Sequence, residues 1–158
     1  MPEKIEFLKS EEIDEAARVY VKGISMEIPP GRATLGSTRI ILKKLYCFVH
    51  KADARIDGVV TFRHRDESID INFICALALR RGVGKALMER VADFGLDKNV
   101  DYIYSTVSSE DERVMKFYDY CGFKKYDEYF EKEGLLLHAV KAAPSEILDA
   151  IQKKSASP

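Results

Sequence analysis

The run Leu79-Arg80-Arg81-Gly82-Val83-Gly84-Lys85-Ala86-Leu87 constrains the fold more than any other, because it carries an apolar strand straight into a helix through two glycines. The first turn of a helix has backbone N–H groups without intrahelical partners and the positive end of the macrodipole, so it attracts phosphate. Gly82 and Gly84 remove the side chains that would hold a phosphate away, and Arg80, Arg81 and Lys85 add charge around the same point. Two familiar glycine loops are excluded by spacing. A Walker loop needs G-x-x-x-x-G-K-[ST], and here Ala86 follows Lys85. A dinucleotide fingerprint needs a third small residue, and Leu87 occupies that place.

Around this turn the pattern alternates strand and helix. Ile5 to Leu8 reads as an opening strand, and Ser10 as the N-cap of a helix with Glu11 and Glu12 in its first turn. Ile13, Ala16, Ala17, Tyr20 and Ile24 recur at helical spacing and predict one buried face. Pro29, Pro30 and Gly31 then force a loop, with poorly periodic helix between Ala33 and Lys44. Strands follow at Leu45 to His50, Arg55 to His64 and Ser68 to Ala76. In the last of these Ile69, Ile71 and Phe73 alternate with Ser68, Asp70 and Asn72, which predicts one apolar and one polar face.

Beyond the glycine turn, Val83, Leu87, Val91 and Phe94 mark a helix running to about Asp97. Tyr102 to Val107 is the next strand, and a crossover through one helix makes it parallel to the strand from Ser68. Ser109 with Glu112 has the spacing of a capping box, Val114, Phe117, Tyr118 and Cys121 mark a buried stripe, and Gly122 ends the helix. Phe123 to Phe130 and Leu135 to Lys141 form a closing hairpin, with a short helix from Ser145 to about Lys153 and a frayed tail. The expected organisation is one domain over residues 1–143, followed by that helix and tail over residues 144–158.

With 25 Lys and Arg against 26 Asp and Glu, no global charge draws the 158-residue chain toward nucleic acid or membrane. A small partner is expected instead. No apolar run has the length of a membrane span, and Met1-Pro2-Glu3-Lys4 begins no signal peptide. Cys47, Cys75 and Cys121 are widely spaced in apolar stretches and read as reduced core thiols of a cytoplasmic protein. Cys47 and His50 are the sole close pair of candidate ligands, so no metal site is expected.

The glycine turn resembles the pyrophosphate loop of the GCN5-related N-acetyltransferases (GNAT), [QR]-x-x-G-x-[GA], with Leu79 in the Gln/Arg position. A second stretch strengthens the resemblance. Asp111-Glu112-Arg113-Val114-Met115-Lys116-Phe117-Tyr118-Asp119-Tyr120-Cys121-Gly122-Phe123 is similar to the family pattern N-x-x-A-x-x-[FL]-Y-x-x-x-G-F, with Asp111 for Asn and Val114 for Ala. The resemblance covers roughly Ala54 to Phe130. It implies an α/β fold with a mixed, mostly antiparallel central sheet flanked by helices and splayed between the fourth and fifth strands.

That resemblance also implies acetyl-CoA as cosubstrate. Arg80, Arg81, Gly82, Val83, Gly84 and Lys85 would hold its pyrophosphate, Asn72, Phe73 and Ile74 its pantetheine arm, and Asp111 would complete the set. Tyr118 matches the family's general acid, which gives a proton to the departing thiolate. A general base is not identified by the match: Asp70 and Glu27 are the candidate carboxylates, and an ordered water is the alternative. Cys75 reads as a small hydrophobe rather than a nucleophile.

The implied activity is transfer of an acetyl group to a small-molecule or peptide amine, with a homodimer left open. The competing reading is a catalytically weak or inactive acyl-CoA-binding sensor domain, which consumption of acetyl-CoA would distinguish. A generic phosphate-binding α/β protein would instead bind nucleotides lacking the pantetheine arm.

Overall fold

The computed structural model describes residues 3–77, 82–131 and 134–155. One seven-stranded sheet runs through the molecule, built from β1 (Glu3–Phe7), β2 (Tyr46–Ala52), β3 (Arg55–Arg65), β4 (Ser68–Ala76), β5 (Tyr102–Ser108), β6 (Lys124–Phe130) and β7 (Leu136–Ala142) in the order β1-β2-β3-β4-β5-β7-β6. Every neighbouring pair is antiparallel except β4 and β5, which are parallel. The helices are α1 (Ile13–Ser25), α2 (Leu35–Lys44), α3 (Val83–Asp97), α4 (Glu112–Tyr120) and α5 (Pro144–Ser155). This is the mixed, helix-flanked sheet expected from the motifs.

Two apolar cores lie on opposite faces of the sheet. On one, the α3 stripe of Val83, Leu87, Val91 and Phe94 packs over Phe48, Val60, Phe62 and Ile69. Each fully buried Leu, Val or Ile in that layer contributes about 1.5–3 kcal/mol. Ile147 and Ile151 of α5 are buried in the same cluster, so the C-terminal helix helps to close it. On the other face, Ala16, Ala17, Val19 and Tyr20 of α1 cover Cys47, Val49, Ile56 and Val59. Helix α1 lies so close to β4 that a Cβ on Gly23 would stand 2.5 Å from the Cys75 sulfur.

Three local details differ from the sequence reading. Ser10 does not cap a helix: Ser10–Glu12 form a 3₁₀ turn, and α1 begins at Ile13. Ser109 is not the cap of α4 either. Asp111 takes that place, its carboxylate accepting from the Val114 N–H at 3.3 Å. The third concerns β4. Its pairing with β3 shifts register between Thr61 and Phe62, so Thr61 faces Phe73 while Phe62 faces Ile71, and Asn72 is the extra residue. A bulge resets the alternation of the strand. Ile69 and Ile71 therefore join the α3-side core, whereas Phe73 and Cys75 pack on the α1 side and not with Ile71.

The same strand opens the sheet. The β4–β5 ladder holds at Ser68, Ile69 and Asp70, opposite Tyr102, Ile103 and Tyr104, and goes no further, although β4 continues to Ala76 and β5 to Ser108. β5 stays paired with β7 from Ile103 to Ser108. The far half of β4 thus presents an edge without a neighbouring strand among the described residues, as expected for a sheet splayed at this point.

Candidate active site

The splay holds a cavity of about 240 Å³ lined on the β4 side by Asn72 to Ala76, on the β5 side by Ser105 and Thr106, and elsewhere by Glu27, Asp111 and Tyr118. A strand edge with unpaired N–H and C=O groups accepts an extended polar chain as it would another strand. Asn72, Phe73 and Ile74 are on that edge, beyond the last β4–β5 pair.

Tyr118 reaches the cavity from the buried side of α4 and is only 2% exposed. The Ser105 hydroxyl donates to its phenol oxygen at 2.8 Å, which leaves the phenol's own proton free to be directed elsewhere. Burial pushes the phenol above the usual tyrosine range, against the opposing pull of the Ser105 hydrogen bond, so the group is protonated at neutral pH. Phe117 and Phe123 meet its ring edge-on, at centroid distances of 5.6 and 4.9 Å. The phenol is therefore held in one orientation.

Glu27 lies just past the end of α1, where the chain turns toward Pro29. Burial first, and the neighbouring Asp111 carboxylate second, push its acid above the usual carboxylate range. Asp111 is 3% exposed and uses both oxygens on the protein: one caps α4, and the other accepts from the Ile28 N–H at 3.2 Å. Arg113 adds a donor to the Met26 carbonyl at 3.2 Å. The start of α4 thereby fixes the loop that carries Glu27.

Beneath the bulge, the Asn72 amide donates to the Tyr20 hydroxyl at 3.0 Å and to the Thr61 hydroxyl at 2.9 Å. Its side chain is thus committed to holding β4 in shape, and its backbone is what faces the gap. Asp70 is not brought to the cavity. It sits opposite Tyr104 in the part of β4 that is still paired with β5, and does not line the gap. Cys75 does line it, but burial pushes its thiol up to about 12, which leaves almost no thiolate at neutral pH.

Gly82 caps α3 with φ +95, a backbone conformation that L side chains rarely adopt, and among the described residues a Cβ there would meet nothing nearer than the Lys85 side chain at 3.9 Å. Among the described residues nothing blocks the approach to the first turn of the helix there. Gly84 answers to packing, since a Cβ on it would come within 3.1 Å of the Phe117 ring. Val83 is buried in the α3 core, so only its backbone can serve a ligand. Arg80 and Arg81, expected around the phosphate, lie outside the described residues, as does Leu79. An open helix N-terminus continuing from a free strand edge fits acetyl-CoA, whose pyrophosphate and extended amide-bearing arm need those two features in that order.

Sequence reasoning passed over Ser105, Tyr20, Thr61 and Arg113. Ser105 had a signal: it falls between Ile103 and Val107 on the inward alternation of β5, and a hydroxyl at a buried position needs a partner.

Comparison with known proteins agrees with this geometry. The model of the acetyltransferase (GNAT) domain family matches residues 34–142. No curated protein matches at the sequence level. Among solved structures, an N-acetyltransferase from Staphylococcus aureus Mu50 superposes with a TM-score of 0.78 at 13% identity, over 92% of this chain and 99% of that one. The ribosomal-protein-S18-alanine N-acetyltransferase from Escherichia coli gives 0.74 at 13% identity, over 89% and 92%. The protein yncA from Salmonella typhimurium, solved with its cofactor acetyl-CoA, gives 0.72 at 12% identity, over 90% and 94%. Its family match, its splayed sheet and the glycine turn that opens α3 agree: the chain belongs to the GNAT acetyltransferases, a family that uses acetyl-CoA.

Proposed function

We propose that this protein is an N-acetyltransferase that acetylates a primary amine by direct attack, with Tyr118 as general acid and Glu27 as the carboxylate that receives the amine. What carries this reading is the placement of a buried, protonated phenol and a half-buried carboxylate on one cavity beside the free edge of β4. Acetyl-CoA supplies the activated acetyl group as a thioester. The backbone N–H groups of Gly82, Val83 and Gly84 would take its pyrophosphate, with Arg80, Arg81 and Lys85 adding charge. The backbone of Asn72, Phe73 and Ile74 would pair with the pantetheine arm.

Glu27 binds the incoming ammonium and accepts its proton, directly or through a water, which frees the nitrogen lone pair for attack. Tyr118 gives its proton to the departing sulfur. Asp111 braces the loop that carries Glu27. The acceptor is a cationic amine, of a small molecule or a peptide, since Glu27 lines the cavity; Asp127 and Glu128 lie on the edge strand β6, outside the lining, and Glu128 is paired with Lys125. A panel of polyamines, amino acids and peptide N-termini assayed for CoA release tests the proposal. Basic acceptors are expected to react, and release from none of them would leave the acyl-CoA-binding reading.

The pH profile provides a further check. A carboxyl held protonated by its surroundings accepts no proton, so activity should climb as pH rises through the raised pKa of Glu27 and not through the ordinary carboxylate range. In Glu27→Gln that limb should vanish from the kcat/KM profile. An unchanged limb would assign it to another group.

At the phosphate end, Gly82→Val forces a β-branched residue to φ +95 and places it in the open approach to α3. Affinity for CoA is expected to fall about tenfold or more, the scale of one lost hydrogen bond to a charged group. Titration calorimetry on a folded variant measures it, and unaltered affinity would move the phosphate site elsewhere.

A further inference from the structure

A second cavity, of about 380 Å³, lies at the C-terminal end of β3, shares no lining residue with the acetyl-CoA cleft, and is lined by Lys44, Leu45, Tyr46, Phe62, Arg63, His64 and Arg65. It exists because two strands end out of step. The β2–β3 ladder stops at Tyr46 opposite Phe62, while β3 runs on through Arg63, His64 and Arg65. Past Phe62 the edge of β3 that faced β2 has no strand partner among the described residues, and the chain leaving α2 at Lys44 and Leu45 forms the other wall.

The lining combines cations with stacked rings. Lys44, Arg63 and Arg65 are exposed, and among the described residues none of them is in an ion pair. Among the described residues no carboxylate lines the cavity; Asp70 stands opposite Arg63 in the β3–β4 ladder but is not part of the wall. Tyr46 lies nearly parallel to Phe62, 14° between planes at 5.5 Å, and is 45% exposed despite its size. Phe94 supports the pair from behind, 5.3 Å from each ring. Alternation along β3 sends Phe62 and His64, with Tyr46, to the α3 side of the sheet and Arg63 and Arg65 to the other, so rings and cations meet across the unpaired strand edge that the cavity occupies.

We propose that this cavity is a second ligand site, distinct from the acetyl-CoA cleft, for a phosphate-bearing aromatic molecule of the nucleotide class. Arginine side chains and free backbone N–H groups suit phosphate oxygens, and an exposed tyrosine backed by a second ring suits a planar base. The volume is in the range of small-molecule sites. The unpaired edge is only three residues long, too short to add a peptide strand of ordinary length.

CoA itself carries a nucleotide, so the test must separate the sites. Titration calorimetry of the full chain, saturated with CoA, should detect AMP, ADP or ATP binding at one site. Inorganic phosphate and adenosine, each lacking half of the ligand, should bind at least about tenfold more weakly, since each loses a charge-assisted or a stacking contribution. The double variant Arg63→Glu, Arg65→Glu should lower nucleotide affinity by about tenfold or more, and Tyr46→Ala should lower it for nucleotides but not for phosphate. All of these should keep the wild-type acetyl-CoA affinity, because Tyr46, Arg63 and Arg65 are not among the residues that line the acetyl-CoA cleft. Complete displacement of the nucleotides by CoA, affinity unchanged by charge reversal, phosphate binding as tightly as nucleotide, or no binding at millimolar nucleotide would each overturn the proposal.

Discussion

Replacing Tyr118 with phenylalanine is expected to lower turnover about 10²-fold while leaving acetyl-CoA affinity nearly unchanged. General acids contribute about 10²- to 10⁴-fold, and the lower end applies here for a structural reason. The burial that keeps the phenol protonated also makes it a weak acid, so its proton moves only after charge has built up on the departing sulfur. The ring is still needed to fill the space between Phe117 and Phe123, and phenylalanine supplies it. Removing the hydroxyl leaves Ser105 Oγ without its present acceptor, at a stability cost of about 1 kcal/mol. A purely structural tyrosine would show that stability loss and nothing else. Single-turnover rates, acetyl-CoA affinity and the thermal midpoint of one variant therefore decide the role. Wild-type turnover under conditions where chemistry limits the rate would remove Tyr118 from the mechanism.

Ser105→Ala removes the phenol's orienting contact together with the one hydrogen bond that favours its ionised form. The serine donates to the phenol oxygen and so restricts where the phenol can send its own proton. Its loss should reduce turnover less than the loss of the phenol does.

Motif spacing made the heart of the fold legible. The α3 stripe and the crossover to a parallel β5 follow from a glycine turn placed between an apolar strand and a periodic helix, and the opening between β4 and β5 is what the family resemblance implied. The bulge at Asn72 did not follow from pattern. A single extra residue leaves the alternation of Ile69, Ile71 and Phe73 looking regular, and only pairing with β3 reveals that Phe73 has changed sides. Asp70 was misplaced for the same reason. Its polar position on β4 was readable, but how far the ladder with β5 extends was not, and that extent leaves it outside the cavity. The cap of α4 fell to Asp111 over Ser109 because a carboxylate there also reaches Ile28, 83 positions away in sequence. A capping box is a local pattern and registers no such long-range partner.

Asp111 is consequently where stability and acceptor chemistry meet, and two substitutions should divide them. Asp111→Ala removes the α4 cap, worth about 0.5–2 kcal/mol, and leaves the Ile28 N–H without its partner at a further cost of about 1 kcal/mol or more. For a chain of this length about 2–3 kcal/mol corresponds to a fall in melting temperature of roughly 5–10 °C. The loop bearing Glu27 loses a tether, so KM for the amine should rise more than KM for acetyl-CoA. Asp111→Asn behaves differently. Asparagine caps a helix as well as aspartate does, so most of the stability should return, but its negative charge is gone. That charge is one of the two causes that raise the Glu27 pKa. With it removed, Glu27 ionises at lower pH, and the acidic limb of the kcat/KM profile should move toward lower pH, by less than burial alone accounts for. Paired melting curves and pH profiles for the two variants measure both effects. A limb that stays in place in Asp111→Asn, with folding intact, would mean that Glu27 does not set the acidic side of the profile and that the amine loses its proton to another group.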